Sequence, residues 1–249
     1  MCVRSELRIE TLDLHFHPIG ILRSCFTSRF GIPRQPRLVP AARSRLELLP
    51  EFSRNEAFAG LDGFSHLWLV FVFHDCIAGG WKPMVRPPRL GGQHKVGVFA
   101  SRSPFRPNPI GISAVEYLGQ GHGAGKLYLE LGGADLLDGT PVLDVKPYVP
   151  YADAIPDARA GFASEAPGQS WPVRFSRDAL GRIAETDPDD SRQLVLLITQ
   201  VLQQDPRPGY MDRYPQRKEF GMRLYDLDVR WTLDTQGVKV VGIESAGTD

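Results

Sequence analysis

The sequence predicts a mainly β protein, with a β-barrel or β-sandwich over its first part and a small α+β domain after Ser170. Three observations carry that prediction. Short apolar runs rich in β-branched and aromatic residues recur as far as Asp157, with little helical periodicity. Proline-rich basic stretches separate them, and proline belongs in neither a helix interior nor a central strand. Beyond Ser170 the apolar spacing turns helical and then alternates again. At 249 residues the chain suits one large domain or a large and a small one, here divided as 1–157 and 158–249.

Leu7 to Phe16 alternates loosely and leads into Ile19-Gly-Ile-Leu22, which predicts one or two strands. Phe30 to Pro40 carries prolines at 33, 36 and 40 and reads as an extended loop, with Arg34 and Gln35 locked between prolines. Arg45 to Leu49 is a short strand, and Arg54 to Ala59 a helical turn. Phe64 to His74, FSHLWLVFVFH, is the most apolar run and reads as a central strand. Gly80 to Gly92 is a proline-rich basic loop. Val96 to Ala100, Ile112 to Leu118 and Lys126 to Leu131 supply three more strands. Gly119, Gly121, Gly123 and Gly125 lack the GxGxxG spacing and a following helix, so they read as a flexible hairpin connection. Asp138-Gly139 signals a turn before the strand Val142 to Val145, and Tyr148 to Asp157 is a connector.

In the second part Ser176 to Ile183 and Asp190 to Gln203 read as helices, the latter with a core stripe at Leu194, Leu197, Ile198, Val201 and Leu202. Phe220 to Leu233 alternates as a strand and turns at Asp234 to Gly237 into Val238 to Ile243.

The stretch around which the rest is arranged is Gly97 to Gly111, GVFASRSPFRPNPIG. Its prolines stiffen a loop that bears Arg102 and Arg106, with Asn108 held between Pro107 and Pro109. Such a loop suits holding an anion in fixed geometry, and it equally suits a tight turn whose arginines face solvent. Net charge is zero, yet charge is segregated. Six arginines and no acid fall between Ile19 and Arg45, and six basic residues and no acid between Cys76 and Val115. That pattern fits a local positive face for a polyanion, or a chance clustering split between two faces. Arg207, Tyr210, Arg213, Tyr214, Arg217 and Lys218 interleave cations with aromatics, a weak signature of single-stranded nucleic acid diluted by Asp205, Asp212 and Glu219. Cys2, Cys25 and Cys76 are far apart and form no CxxC pair, which indicates neither a disulfide framework nor a zinc site. No apolar run has membrane-spanning length, and the charged N-terminus does not read as a signal peptide, so a soluble cytoplasmic protein is expected.

Four segments taken together, FSHLWLVFVFH at 64–74, WKPMVRPPRLGG at 81–92, GVFASRSPFRPNPIG at 97–111 and LLDGTPVLDVKPYVP at 136–150, closely resemble the TrmO family, also known as YaeB or TsaA-like proteins. PRQP at 33–36 and QDPRPGY at 204–210 extend the resemblance over roughly 16–245, leaving a short N-terminal extension without assigned function. The resemblance implies a β-barrel methyltransferase that uses S-adenosylmethionine without a Rossmann fold. It implies cofactor binding near a homodimer interface and a C-terminal domain that helps hold tRNA. The implied reaction methylates N6 of N6-threonylcarbamoyladenosine at position 37 of threonine tRNA. Carried onto matching positions, cofactor contacts fall on Pro33, Arg34, Gln35, His74, Asp75, Arg102, Ile112 and the run Asp138, Gly139, Thr140 and Pro141. Asp75 stands where family members often have Gln, which leaves a main-chain contact intact and removes a side-chain amide contact.

Loss of the N6 proton calls for a nearby base or cation, for which Asp138, Asp144, Lys146 and Tyr148 are candidates. For an isolated Asp-Gly-Thr, bonding of Asp138 to its own turn is an equally good reading. Arg29, Arg37, Arg86, Arg89 and Arg106, with Arg207 and Tyr210, are the expected contacts to RNA phosphates or to the threonyl carboxylate. Two other functions fit the residues: a non-catalytic module that binds S-adenosylmethionine or RNA, and a methyltransferase with a different acceptor.

Overall fold

The computed structural model describes residues 14–91, 94–164, 171–207 and 216–247. Its first part is a closed six-stranded barrel made by β1 (Gly20–Ser24), β2 (Arg43–Leu48), β3 (His66–Val72), β6 (Ile110–Gly123), β7 (Lys126–Gly132) and β8 (Thr140–Pro147), with β4 (Met84–Val85) and β5 (Val96–Gly97) forming a separate small ladder. Around the barrel the order is β1-β2-β7-β6-β3-β8, closed by β8 against β1, and every pairing is antiparallel. Closure leaves no free edge.

The apolar run at 64–74 becomes β3, which pairs with β6 on one side (Val70 opposite Ile112) and β8 on the other (Val70 opposite Asp144). Its alternation divides the side chains: Leu67, Leu69 and Phe71 point into the core, and Trp68 and Val70 lie on the outer wall. Leu22, Leu46, Leu129, Leu131 and Val142 complete the barrel core. Gly111 has no room for a side chain, because a Cβ there would lie 2.4 Å from Phe71 Cζ and 2.9 Å from Phe73 Cε2. We expect Gly111→Ala to cost about 1–3 kcal/mol through overpacking, read as a melting temperature lowered by several degrees.

The second part is a four-stranded sheet ordered β10-β11-β12-β9, made by β9 (Val173–Phe175), β10 (Glu219–Leu224), β11 (Leu227–Asp234) and β12 (Gly237–Ser245). It packs on α2 (Arg177–Thr186) and α3 (Leu194–Gln203), which follow the single-turn helix α1 (Pro150–Asp153) in the chain. Ser176 caps α2 by accepting a hydrogen bond from Ala179 N. The stripe Leu194, Leu197, Ile198, Val201 and Leu202 is fully buried, as its spacing predicts.

This second core does not stop at the domain it belongs to. Cys25, Phe26, Val39, Ala41 and Ala42, from the segment between β1 and β2, are buried in it. Three hydrogen bonds fasten the same segment: Tyr225 N to Cys25 O at 2.7 Å, Thr27 Oγ1 to Tyr225 O at 2.9 Å, and Ala41 N to Gln200 Oε1 at 2.8 Å. Burial pushes the Cys25 thiol up to about 12, which makes it an inert core residue.

Several elements differ from expectation. The glycine run at 119–125 is mostly strand: β6 continues to Gly123 past a bulge near Gly119, and Ala124-Gly125 alone make the turn. Val96 to Ala100 gives only two strand residues before a 3-10 turn at Val98–Ala100, and the basic loop at 80–92 contains β4 and a 3-10 turn at Pro88–Leu90. Phe220 to Leu233 is two strands, β10 and β11, joined at Tyr225-Asp226. α3 starts at Leu194 instead of Asp190, because Gln193 adopts a left-handed φ of 49° and Asp187 ties Ser191 and Arg192 into a turn before it. Residues 1–13 and Tyr210, Arg213 and Tyr214 lie outside the described residues. No helix among the described residues is long and apolar enough to cross a membrane.

Candidate functional site

One end of the barrel opens into a cavity of about 530 Å³, within the range of small-molecule and cofactor sites. Five segments of the chain converge there: the loop at 29–35, the end of β3 with the 3-10 turn at His74–Gly79, the rigid loop at 101–106, the start of β6, and the strand-to-strand connection at 135–140. Of the residues expected to contact cofactor, Pro33, Arg34, Gln35, His74, Asp75, Arg102, Ile112 and Thr140 line it. Asp138, Gly139 and Pro141 do not.

The reason is in the turn itself. Asp138 Oδ1 accepts from Ser24 N at 2.9 Å, while the Asp138 and Gly139 amides donate to Phe26 O and Leu22 O. The Asp-Gly signal thus serves to tie β8 to β1, with Pro141 paired to Ile21. Thr140 alone turns inward, its Oγ1 donating to Leu137 O at 2.7 Å.

The stiff loop performs as a scaffold for its arginines. Arg106 Nη1 donates to Ser101 O at 2.8 Å and Val98 O at 3.1 Å, so this cation pins the loop from within. Arg102 is exposed to the cavity, and its Nη1 donates to Gln35 Oε1 at 2.6 Å. Two proline-locked segments far apart in sequence are thereby joined across the opening. Arg29 and Asp75 form an ion pair at the rim, and the Arg29 hydrogen bond holds the Asp75 carboxyl below its ordinary range.

Sequence reasoning missed Asp135. It lies in the cavity wall and accepts a hydrogen bond from Ser113 Oγ at 2.6 Å. Burial pushes its pKa up to about 6, against the opposing pull of the Ser113 bond and the nearby Arg102 charge. The signal was present in ADLL at 134–137, an acid flanked by residues that prove buried or half-buried. The cavity therefore presents a cation and an anion together above an apolar floor that includes Phe71, Ile110 and Leu136.

The four candidate bases are not in this cavity. Asp138 serves the turn. Asp144 and Lys146 pair with each other at 2.8 Å on the outer wall, which raises the Lys146 pKa and keeps it charged. Tyr148 packs against Trp68, ring centroids 5.6 Å apart, beyond the far end of β8 from Thr140. Among the expected RNA contacts, Arg29 and Arg106 line the cavity, and Arg86 and Arg89 are exposed on the loop beside β4. The Arg207 guanidinium donates to both Asp205 carboxylate oxygens, at 2.7 and 2.8 Å, and its side chain is mostly buried. No group of His, Cys, Asp or Glu among the described residues is arranged to hold a metal ion.

Comparison with known proteins agrees with this architecture. The tRNA-methyltransferase O N-terminal domain matches residues 21–154, and the TrmO C-terminal domain matches 168–246. The chain is 44% identical over 232 residues to the tRNA (adenine(37)-N6)-methyltransferase of Escherichia coli, covering 93% of this chain and 98% of that protein. It is 52% identical over 214 residues to a putative S-adenosylmethionine-dependent methyltransferase, RcsF, of Pseudomonas aeruginosa, covering 86% and 90%. A crystal structure of TrmO from Pseudomonas aeruginosa superimposes with a TM-score of 0.77 at 43% identity, over 94% of this chain and 99% of that one. With both domain models matched in order over the barrel and the small α+β sheet, the chain belongs to the TrmO family.

Proposed function

We propose that this chain, an S-adenosylmethionine-dependent tRNA N6-methyltransferase, acts on N6 of N6-threonylcarbamoyladenosine at position 37 of threonine tRNA, and that the cavity at the barrel end is its cofactor site. The observation that carries the cofactor assignment is the presence of Arg102 and Asp135 together in one cavity with an apolar floor. S-adenosylmethionine carries a carboxylate, an ammonium and an adenosine, and this donor set matches each kind of group. The residues present therefore fit the cofactor. When bound, it supplies a methyl group activated by the adjacent sulfonium.

The chain's contribution is mainly positional. Arg102, oriented by Gln35, holds a carboxylate, and Asp135, oriented by Ser113, accepts from an ammonium or a ribose hydroxyl. Phe71 and Ile110 supply apolar wall for the uncharged part of the cofactor. Fixing two reactants in line removes most of the entropy cost of a displacement. His74, half-buried, is a titratable group of the cavity placed to meet an acceptor that enters from solvent, whereas Asp75 is engaged by Arg29. His74 joins Asp138, Asp144, Lys146 and Tyr148, which lie outside this cavity, as a group to examine for proton removal. Exposed Arg34, Arg86 and Arg89 supply the charge for RNA phosphates. We further propose a homodimer in the cytoplasm. Trp81, Phe99 and Ile112, each more than half exposed, support the dimer, since exposed apolar side chains of this size suit an interface.

Nucleoside mass spectrometry tests the reading. Threonine tRNA bearing threonylcarbamoyladenosine, incubated with the protein and S-adenosylmethionine, is expected to yield that nucleoside heavier by one methyl group. Methylation only of tRNA lacking the threonylcarbamoyl group would refute the proposed acceptor.

A further inference from the structure

The cavity at the barrel end holds more positive charge than its cofactor balances. Arg29, Arg34, Arg102 and Arg106 line it together with two carboxylates, Asp75 and Asp135, so cations exceed anions even with both acids ionised. S-adenosylmethionine does not redress this, because its ammonium and sulfonium outnumber its one carboxylate. An occupied cavity of this composition is complementary to an anion carried by the acceptor. In N6-threonylcarbamoyladenosine the threonyl carboxylate is tethered to N6 through the carbamoyl group, a few covalent bonds from the reacting atom. It therefore enters the cavity wherever N6 does, whereas the phosphates lie beyond the ribose.

The arginines are not equivalent. Arg106 is engaged by the Ser101 and Val98 carbonyls, and Arg102 is joined to Gln35. Arg37 lines a separate cavity with Phe64, His66 and Tyr148, and Arg86 and Arg89 are on the loop beside β4. Arg29 is held at one edge and open at the other. Its Nε donates to Asp75 Oδ2 and its Nη2 to the Asp75 carbonyl. A guanidinium presents its N–H groups in a rigid planar fork, so the end formed by Nη1 and Nη2 keeps the parallel pair that takes a carboxylate through two bonds. The side chain stays 63% exposed after making both bonds. Its main chain is tethered on either side: Thr27 Oγ1 donates to Tyr225 O at 2.9 Å, and Ser28 Oγ to Phe30 O at 3.1 Å, with Phe30 packed against the C-terminal core. Asp75, which fixes the guanidinium, directly follows His74 in the chain, and both line the cavity where the acceptor enters. A cation held in place before its ligand arrives loses little freedom on binding it.

We propose that Arg29 determines specificity for the acceptor: the Nη1 and Nη2 end of its guanidinium binds the threonyl carboxylate, and the enzyme thereby selects threonylcarbamoylated adenosine over the unmodified base. This rests on the reading of the barrel-end cavity as the methylation site.

The experiment crosses a change in the protein with a change in the RNA. A fluorescent anticodon stem-loop RNA bearing threonylcarbamoyladenosine, and the same RNA with its threonyl carboxylate converted to the methylamide, are titrated with wild-type protein and with Arg29→Ala and Arg29→Lys variants. Saturating S-adenosylhomocysteine fills the cofactor site during the titrations, and single-turnover methylation is measured in parallel with S-adenosylmethionine. Wild type is expected to prefer the free carboxylate by about tenfold, the loss of one charge-assisted contact. In Arg29→Ala the preference is expected to fall within about twofold, with affinity for the methylamide RNA unchanged within the same margin. Arg29→Lys keeps the charge without the fork and is expected to lie between them. Cofactor affinity by calorimetry is expected to stay within about twofold, which also certifies that each variant is folded. Equal weakening of both RNAs in Arg29→Ala would mean a phosphate contact and overturn the proposal. So would a preference that survives in that variant, a wild type that shows none or fails to bind the RNA, or a variant that loses the cofactor. If wild type methylates the RNA without this coupling, Arg29 loses its role and the acceptor assignment stands. If the coupling appears while no methylated product forms, the carboxylate contact stands and the acceptor assignment falls.

Discussion

Arg102→Ala is expected to weaken S-adenosylmethionine binding by roughly 10- to 100-fold, the loss of a charge-assisted hydrogen bond worth about 1.5–3 kcal/mol, and to leave the protein folded. Arg102 is exposed, and neither hydrophobic cluster depends on it. Its role is to present a guanidinium to the cavity while bridging to Gln35. Arg102→Lys keeps the charge and loses the fork, so an intermediate loss is expected. Titration calorimetry with a thermal melt of each variant checks this. An alanine variant that binds within about twofold of wild type would move the carboxylate contact elsewhere, with Arg34 the next residue to test.

Asp135→Asn is expected to separate binding from stability. In the folded protein the carboxyl titrates near 6, raised by burial from an ordinary 3.8. A raised carboxyl pKa means that its contribution to stability is fully present below about pH 4 and is lost as pH rises through about 6. The difference of two units or so corresponds to about 3 kcal/mol. Asparagine carries no such penalty and still accepts from Ser113. The variant's melting temperature is thus expected to gain on wild type as pH is raised from 4.5 to 7.5. Over the same range wild-type cofactor affinity should increase as Asp135 ionises, whereas the variant should bind at least about tenfold more weakly at pH 7.5 with a flat profile. Parallel pH profiles for the two proteins would remove Asp135 from the site.

The legible parts of the chain were those where one local rule decides the outcome. Alternation in FSHLWLVFVFH assigned β3 and its inward face, prolines marked the loop at 101–109, and the apolar stripe marked α3. Misreadings arose where the deciding partner is distant. The Tyr225-Asp226 turn has no glycine or asparagine to announce it, and Tyr225 takes a φ of 53° while its amide bonds Cys25 from the other domain. Strand β6 runs through its glycines because β7 pairs with them, with Tyr128 packed where side chains at Gly121 and Gly123 would stand. The ionisable cluster at 138–148 does not gather at the cavity, because successive strand positions alternate inside and out and move steadily away from the opening. ADLL at 134–137 marks an acid among apolar neighbours, but only the fold supplies the Ser113 partner that sets Asp135 in the cavity wall.

The segment 25–42 belongs to two structures at once. Its ends are sealed into the C-terminal core, and its middle supplies the proline-locked wall of the cavity. The barrel is therefore not modular. Truncating the chain after its eighth strand would leave Phe26, Val39, Ala41 and Ala42 stripped of cover, and the arc from Pro33 to Arg37 suspended between loose ends. The C-terminal domain acts as the keystone of the proposed cofactor pocket, because the core that it supplies anchors both ends of the loop bordering the cavity.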